Sequence, residues 1–216
     1  MFRYVIFDLD GTLLDTLDDL TDAGNLVCRN HGWPTHSTEE FKFFVGNGIP
    51  KAVERFTPAE FRKPEILEHA LTEFLHFYDA HKADKTAPYP GMAAALNRLR
   101  QADIKMAVLS NKAHELAGSV VEQYYPGMFR TVQGALAGFP TKPDPTLLKL
   151  LMDKMGAAQS ATLFVGDSDV DIRTARNGCL TSCGVLWGFR NREILEKEKA
   201  DYIVETPADM ADLILM

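Results

Sequence analysis

The residues with the most chemistry to offer stand near the N-terminus, in Asp8-Leu9-Asp10-Gly11-Thr12. Two carboxylates two positions apart can divide a reaction between them, one as nucleophile and the other as general acid and base. Gly11 lets the backbone turn tightly and approach an anion, and Thr12 adds a hydroxyl. A solvated acidic turn is the plain alternative. A pattern of two Asp, Gly and Thr at this spacing arises by chance in on the order of one 200-residue chain in a thousand.

A second carboxylate group follows at Gly166-Asp167-Ser168-Asp169-Val170-Asp171. Hard divalent cations such as magnesium prefer carboxylate and carbonyl oxygens. Asp167 is a candidate to ligate such an ion beside Asp8, with Asp171, a helical turn on, supporting the ligands. Asp169 reads equally well as a helix cap. Ser110-Asn111 offers a hydroxyl and an amide, and Lys142 offers a cation in the Pro-rich loop Lys142-Pro143-Asp144-Pro145. Taken alone, the first is an ordinary turn and the second a solvated lysine. Carboxylates beside a phosphate repel it, so a site built from these groups needs that cation.

The elements that must position these residues are legible in the apolar pattern. Arg3 to Phe7 reads as a buried strand stopping at Asp8. From Thr16 to about His31 the apolar residues recur at helical spacing, and Gly32-Trp33-Pro34 ends that helix. Thr38 to Phe44 reads as a helix capped by Ser37 with Glu40 three residues on. Gly46-Asn47-Gly48 interrupts, Ile49 to Phe56 resumes, and Pro64 to His81 forms a long helix.

After Pro90 helices and strands alternate. Helices are expected at Met92 to Ala102, Ala113 to Gln123, Thr146 to Met155, Val170 to Asn177 and Pro207 to Leu215. Strands are expected at Lys105 to Leu109, Thr131 to Gln133, Thr162 to Val165, Thr181 to Leu186 and Tyr202 to Val204. Alternation of this kind implies βαβ units and a parallel sheet. The expected architecture is α/β: a Rossmann-like parallel sheet core formed by 1–15 and 88–216, with an inserted α-helical cap at 16–87. Three of the polar groups follow strands, and open parallel sheets bind ligands outside the carboxyl ends of their strands.

Composition narrows the function. The 216-residue chain is 46% hydrophobic and 25% charged, as ordinary globular proteins are. A net charge of −7 without a Lys/Arg cluster speaks against nucleic acid. No apolar stretch approaches the roughly 20 residues of a membrane helix, and the N-terminus does not read as a signal peptide. Cys28, Cys179 and Cys183 are odd in number and form no CxxC pair. They read as small buried residues in a reduced, cytoplasmic protein. Oligomeric state is not legible.

Taken together, the four polar segments resemble the four motifs of the haloacid-dehalogenase-like hydrolase superfamily, in the same chain order. Within it the chain looks like the phosphoglycolate phosphatase branch. Motif one matches Asp8 to Thr12, and motif two Ser110 with Asn111-Lys112 after it. Motif three matches Lys142 in Lys-Pro-Asp-Pro, and motif four Gly166 to Asp171 followed by Arg173 to Gly178. Val185-Leu186-Trp187-Gly188-Phe189 resembles the branch's late strand and loop. In the cap only Gly46-Asn47-Gly48 is similar. Gly134 to Gly138 departs from the family, which often carries charge where this loop is apolar.

The resemblance implies a magnesium-dependent phosphatase acting on a small phosphorylated metabolite such as phosphoglycolate. Asp8 would be the nucleophile and Asp10 the general acid and base. Mg2+ would be held by Asp8, the carbonyl of Asp10 and Asp167, with Asp171 behind. Ser110 and Lys142 would complete the catalytic set. Leu9, Gly11, Thr12 and Asn111 would hold phosphate, and Gly46, Asn47 and Gly48 in the cap would meet the leaving group. Lys51 and Arg55 read first as a solvated helix face.

The rivals are a phosphomutase similar to beta-phosphoglucomutase, a dehalogenase, and a non-catalytic domain binding a phosphorylated ligand. Asp10 argues against the dehalogenase, which needs no second acid in the first motif. A response-regulator receiver would be about half this length.

Overall fold

The computed structural model describes residues 2–216. The chain divides into two compact units, one of 1–15 with 88–216 and one of 16–87.

In the first unit, a run of buried apolar residues makes the first strand, β1 (Tyr4–Phe7). Val5, Ile6 and Phe7 are all fully buried, which requires cover on both faces. After the two-residue strands β2 (Leu14–Asp15) and β3 (Ala87–Pro88) the other strands are β4 (Lys105–Ala113), β5 (Thr131–Ala135), β6 (Thr162–Gly166), β7 (Thr181–Val185) and β8 (Tyr202–Val204). The six longer strands form one sheet in the order β5-β4-β1-β6-β7-β8. Every pairing between neighbours is parallel.

Alternation along β1 sends its side chains to two cores. Val5 and Phe7 join α5 (Met92–Gln101), α6 (His114–Tyr124) and α10 (Pro207–Leu215) through Leu96, Val120 and Met210. Ile6 points the other way, to Leu148 and Leu151 of α7 (Thr146–Met155) and Ala175 of α8 (Asp169–Asn177). The unit is therefore three layers, with helices on both faces of a parallel sheet. Complete burial of a side chain such as Leu148 is worth about 1.5–3 kcal/mol.

The strand order sets the place of the site. From β1 the chain builds outward through β4 and β5, then returns to the other side of β1 with β6. That reversal is a topological switch point, where open α/β sheets form a crevice at the strands' carboxyl ends. Phe7 is level with Val108 on one side and Val165 on the other. Asp8, the residue after β1, and Asp167, the residue after β6, thus emerge close together at the carboxyl end of the sheet.

The second unit is helical: α1 (Leu17–Asn30), α2 (Thr38–Phe44), α3 (Ile49–Phe56), a 3-10 turn at Ala59–Phe61, and α4 (Pro64–His81). The expected capping box forms at α2. Ser37 Oγ accepts the Glu40 N–H at 3.3 Å, and Glu40 Oε2 accepts the Ser37 N–H at 2.8 Å. Its core is aromatic, with Phe41 stacked on Phe56, Phe56 on Phe74 and Phe74 on Tyr78 at 5.8 to 6.2 Å. Asp19, buried on α1, accepts the N–H groups of Lys85 and Thr86 and the Thr86 hydroxyl. One carboxylate thereby ties the end of the unit back to its first helix.

Several expectations need correction. β4 does not stop at Leu109 but continues to Ala113, with a register irregularity between those residues. Ser110, Asn111 and Lys112 are therefore buried in extended chain rather than exposed in a turn. A short helix, α9 (Arg192–Lys197), was not expected; Asn191 caps it and Leu195 is its one buried residue. Cys28 and Cys183 are buried as expected, but Cys179 is exposed, at a positive φ of 56°. All three thiols are free.

Candidate active site

Asp8 is the first residue beyond β1, and its N–H still reaches the Val165 carbonyl at 2.9 Å. Its carboxylate is thus fixed by the sheet itself. Gly11 turns the chain at φ 87°, and a Cβ there would lie 2.5 Å from Asp167 Oδ2. Both facts require glycine at this position. Thr12 then donates its hydroxyl to Asp167 Oδ1 at 3.0 Å, joining the first polar segment to the fourth.

Asp167 follows β6 and also accepts the Phe189 N–H at 2.9 Å on Oδ2. Ser168 caps α8, and Asp171 completes the capping box by accepting the Ser168 N–H and hydroxyl at 3.0 and 2.6 Å. Ser168, rather than Asp169, is therefore the cap. Asp169 pairs with Arg173 at 2.7 Å.

Lys142 reaches the same place from the loop before α7. Its Nζ lies 2.7 Å from Asp8 Oδ1 and 2.7 Å from Asp171 Oδ1. Asn111 holds this lysine's backbone from both sides: its Oδ1 accepts the Lys142 N–H at 2.8 Å and its Nδ2 donates to the Lys142 carbonyl at 3.1 Å. The visible work of Asn111 is thus to align the Lys142 loop with β4. Ser110 Oγ accepts the Lys112 N–H at 3.1 Å.

The structure brings Asp8, Asp167, Asp171 and Lys142 together, and gathers Asp10, Gly11, Thr12, Ser110 and Asn111 around them. Leu9 turns its side chain into the core, while its carbonyl accepts three successive N–H groups, from Thr12 to Leu14. Gly46, Asn47 and Gly48 lie in the helical unit, where Asn47 Oδ1 accepts from Arg55 at 2.8 Å. Arg55 also donates to the carbonyls of Phe43 and Phe44, and Lys51 pairs with Glu54.

Three contributors escaped the sequence reading. Lys112 Nζ sits 2.9 Å from Asp10 Oδ1. The Trp187 indole donates to the Thr12 carbonyl at 2.9 Å. Gly188 packs so closely on Asp167 and the Gly11 carbonyl that a side chain there would strike both. The signal for all three was present, since each belongs to a segment that matched the family.

The electrostatics are lopsided. Asp8, Asp167 and Asp171 are buried, with candidate ligand oxygens all within 4.8 Å of one another, and Lys142 is the cation among them. Burial, then the Asp171 charge, pushes Asp8 well above the usual carboxylate range, although Lys142 opposes them. Burial and Asp171 also raise Asp167, to about 7, against the bonds from Phe189 and Thr12. Burial disfavours the charge on Lys142, yet Asp171 and Asp8 outweigh it and hold the ammonium above its ordinary range. Buried carboxylates crowded this way either take up protons or share a cation. Three hard oxygen donors suit a divalent cation such as magnesium.

Comparison with known proteins agrees with this geometry. The model of the haloacid dehalogenase-like hydrolase family matches residues 5–185, and the chain belongs to that family. Its similarity runs to proteins named phosphoglycolate phosphatase. One from Pseudomonas putida is 30% identical over 94% of this chain and 76% of its own length. Another, from Vibrio parahaemolyticus, is 30% identical over 98% of this chain and 96% of its own. A solved structure from Lactobacillus delbrueckii subsp. bulgaricus, provisionally assigned the same activity, superposes with a TM-score of 0.94 at 32% identity. That match covers 99% of this chain and 98% of the other.

Proposed function

We propose that the chain is a magnesium-dependent phosphatase of small phosphate monoesters, with phosphoglycolate the first candidate substrate. The observation that carries this is the Lys142 ammonium held between Asp8 and Asp171, with the Asp167 carboxylate beside them.

In the first step an Asp8 carboxylate oxygen attacks phosphorus and the bond to the leaving oxygen breaks. Asp10, as the carboxylic acid, gives its proton to that oxygen, and Asp8 is left as an aspartyl-phosphate. Asp10, now a carboxylate, takes a proton from water, and the water oxygen attacks phosphorus. The bond from Asp8 breaks, inorganic phosphate leaves, and both residues return to their starting states.

Lys142 meets negative charge on Asp8 and on the transferring group, while Asp171 keeps the ammonium aimed. Ser110 and the N–H groups of Leu9 and Asp10 are assigned to the phosphoryl oxygens, since those of Gly11 and Thr12 bond within the turn to the carbonyls of Leu14 and Leu9. Asp8, Asp167 and the Asp10 carbonyl are the groups that would hold magnesium, with Asp171 behind them. When bound, the ion supplies the positive charge that lets an anionic nucleophile approach an anionic phosphoryl group.

The helical unit is assigned the part of a cap that reads the leaving group, with Gly46 to Gly48 as its candidate loop. A cytoplasmic location fits three free thiols. Among the described residues no helix is long and apolar enough to cross a membrane.

The test is phosphate release from phosphoglycolate, sugar phosphates, nucleoside monophosphates and pyrophosphate, with magnesium and with EDTA. Magnesium-dependent release from at least one ester is expected. Folded protein that releases none from any of them would overturn the assignment.

A further inference from the structure

The helical unit holds a second group of potential metal ligands that the phosphatase reading does not use. His31, His69 and Glu73 each present a ligand atom within 4.8 Å of the other two. His69 and Glu73 are four residues apart on α4, so they project from one face. His31 is the C-cap of the neighbouring helix α1. Its Nε2 lies 2.9 Å from Glu73 Oε2, and its ring meets that of His69 at 5.5 Å between centroids.

We propose that these three residues form a site for a borderline divalent transition metal, with zinc the best-fitting ion, clipping the end of α1 to α4. Two imidazoles and one carboxylate are a set that zinc accepts with a fourth position left to water. The same imidazoles rank magnesium and calcium low, because those ions select oxygen donors. A separation of 2.9 Å allows one ion to bind His31 and Glu73 together.

The site is also partly built before any ion arrives. The His31 ring is stacked on Trp33, which is itself buried, at 4.3 Å between centroids. That stack fixes the imidazole plane. The C-terminus of α1 carries the negative end of the helix dipole, which favours a cation at this spot. α4 is long, at 18 residues, so its two ligands keep their spacing.

The competing account of the same atoms is a plain ion pair between protonated His31 and Glu73. It gives His69 no part, and His69 is exposed. His69→Ala therefore separates the two accounts without disturbing the core.

The experiment is calorimetric titration of zinc chloride into the full chain near neutral pH, in excess magnesium chloride to occupy the carboxylate cluster. Wild type, His69→Ala, Glu73→Gln and Asp167→Asn are compared. The proposal expects one zinc per chain in wild type and in Asp167→Asn. His69→Ala and Glu73→Gln should bind at least about tenfold more weakly, since even a partner behind a ligand is worth about 10–100-fold. Absence of zinc uptake by wild type would overturn the proposal. So would uptake unchanged in His69→Ala, or uptake lost in Asp167→Asn, which would put the zinc on the Asp8 cluster.

Discussion

Lys112 reaches back across 102 residues to place its Nζ 2.9 Å from Oδ1 of Asp10. Asp10 must change protonation state twice per turnover in the proposed mechanism, so its position has to be held while its charge changes. A buried lysine on the neighbouring strand does that. Asp10→Asn should cost about 10²–10⁴-fold in kcat, the range of general acid–base catalysis. Lys112→Met should lose part of that factor in kcat with KM little changed. A Lys112→Met enzyme with wild-type kcat would remove Lys112 from the account.

Lys142 is the cation between two buried carboxylates, and its loss leaves Asp8 and Asp171 facing each other. Breaking a buried pair from one side costs about 3–5 kcal/mol. Lys142→Met should lower stability by that order in EDTA, with magnesium restoring part of it. Urea denaturation of both proteins, with and without magnesium, measures this. Equal midpoints in EDTA would show that the ammonium does not stabilise the cluster.

The raised Asp167 sets a pH dependence with a definite sign. Its carboxyl titrates near 7 in the folded, metal-free protein and near about 3.9 when unfolded. Between those values the folded state binds the extra proton, so stability falls as pH rises through this window. In EDTA, Asp167 should make the thermal midpoint fall between about pH 5 and about pH 7. The stabilising shift from magnesium should grow over the same interval, because the ion replaces the proton. Asp167→Asn should reduce both trends and leave the part that Asp8, also raised by burial, contributes with the same sign; trends left fully intact would arise elsewhere.

Gly188 offers a way to disturb the metal without deleting a ligand. A methyl group at this position would strike Asp167 and the Gly11 carbonyl. Gly188→Ala should weaken magnesium binding by about 10–100-fold, the usual cost of disturbing a ligand's support. An activity titration against magnesium concentration reads this directly. Wild-type magnesium dependence would mean that the loop yields without moving Asp167.

Thiol reactivity tests the fold away from the site. Burial pushes the Cys28 thiol up to about 11 and the Cys183 thiol to about 12, and both side chains are inaccessible. Cys179 alone is exposed. Native protein should take up one equivalent of a thiol reagent and unfolded protein three. Labelling of Cys183 in native protein would contradict its place in the sheet.

The sequence announced features whose physics is local. Val5-Ile6-Phe7 is apolar at every position, as a doubly covered strand must be, and Ser37 with Glu40 spells out a capping box. What escaped depends on partners distant in the chain. Pairing with β5 carries β4 through Ser110 to Ala113, although those polar residues look like a turn. Nothing in the triplet Ser110-Asn111-Lys112 says that the amide will hold Lys142 and the amine will find Asp10. Helix α9 has six residues and one buried apolar side chain, too little for a periodic signal.

The central claim is that the Asp8 carboxylate accepts the phosphoryl group. Rapid acid quenching during turnover of the best ester, followed by peptide mass analysis, tests it most directly. The account predicts a phosphorylated peptide containing Asp8, formed only with magnesium, and no turnover by folded Asp8→Asn. Phosphate release by Asp8→Asn at the wild-type rate, or a phosphoryl group trapped on another residue, would contradict it.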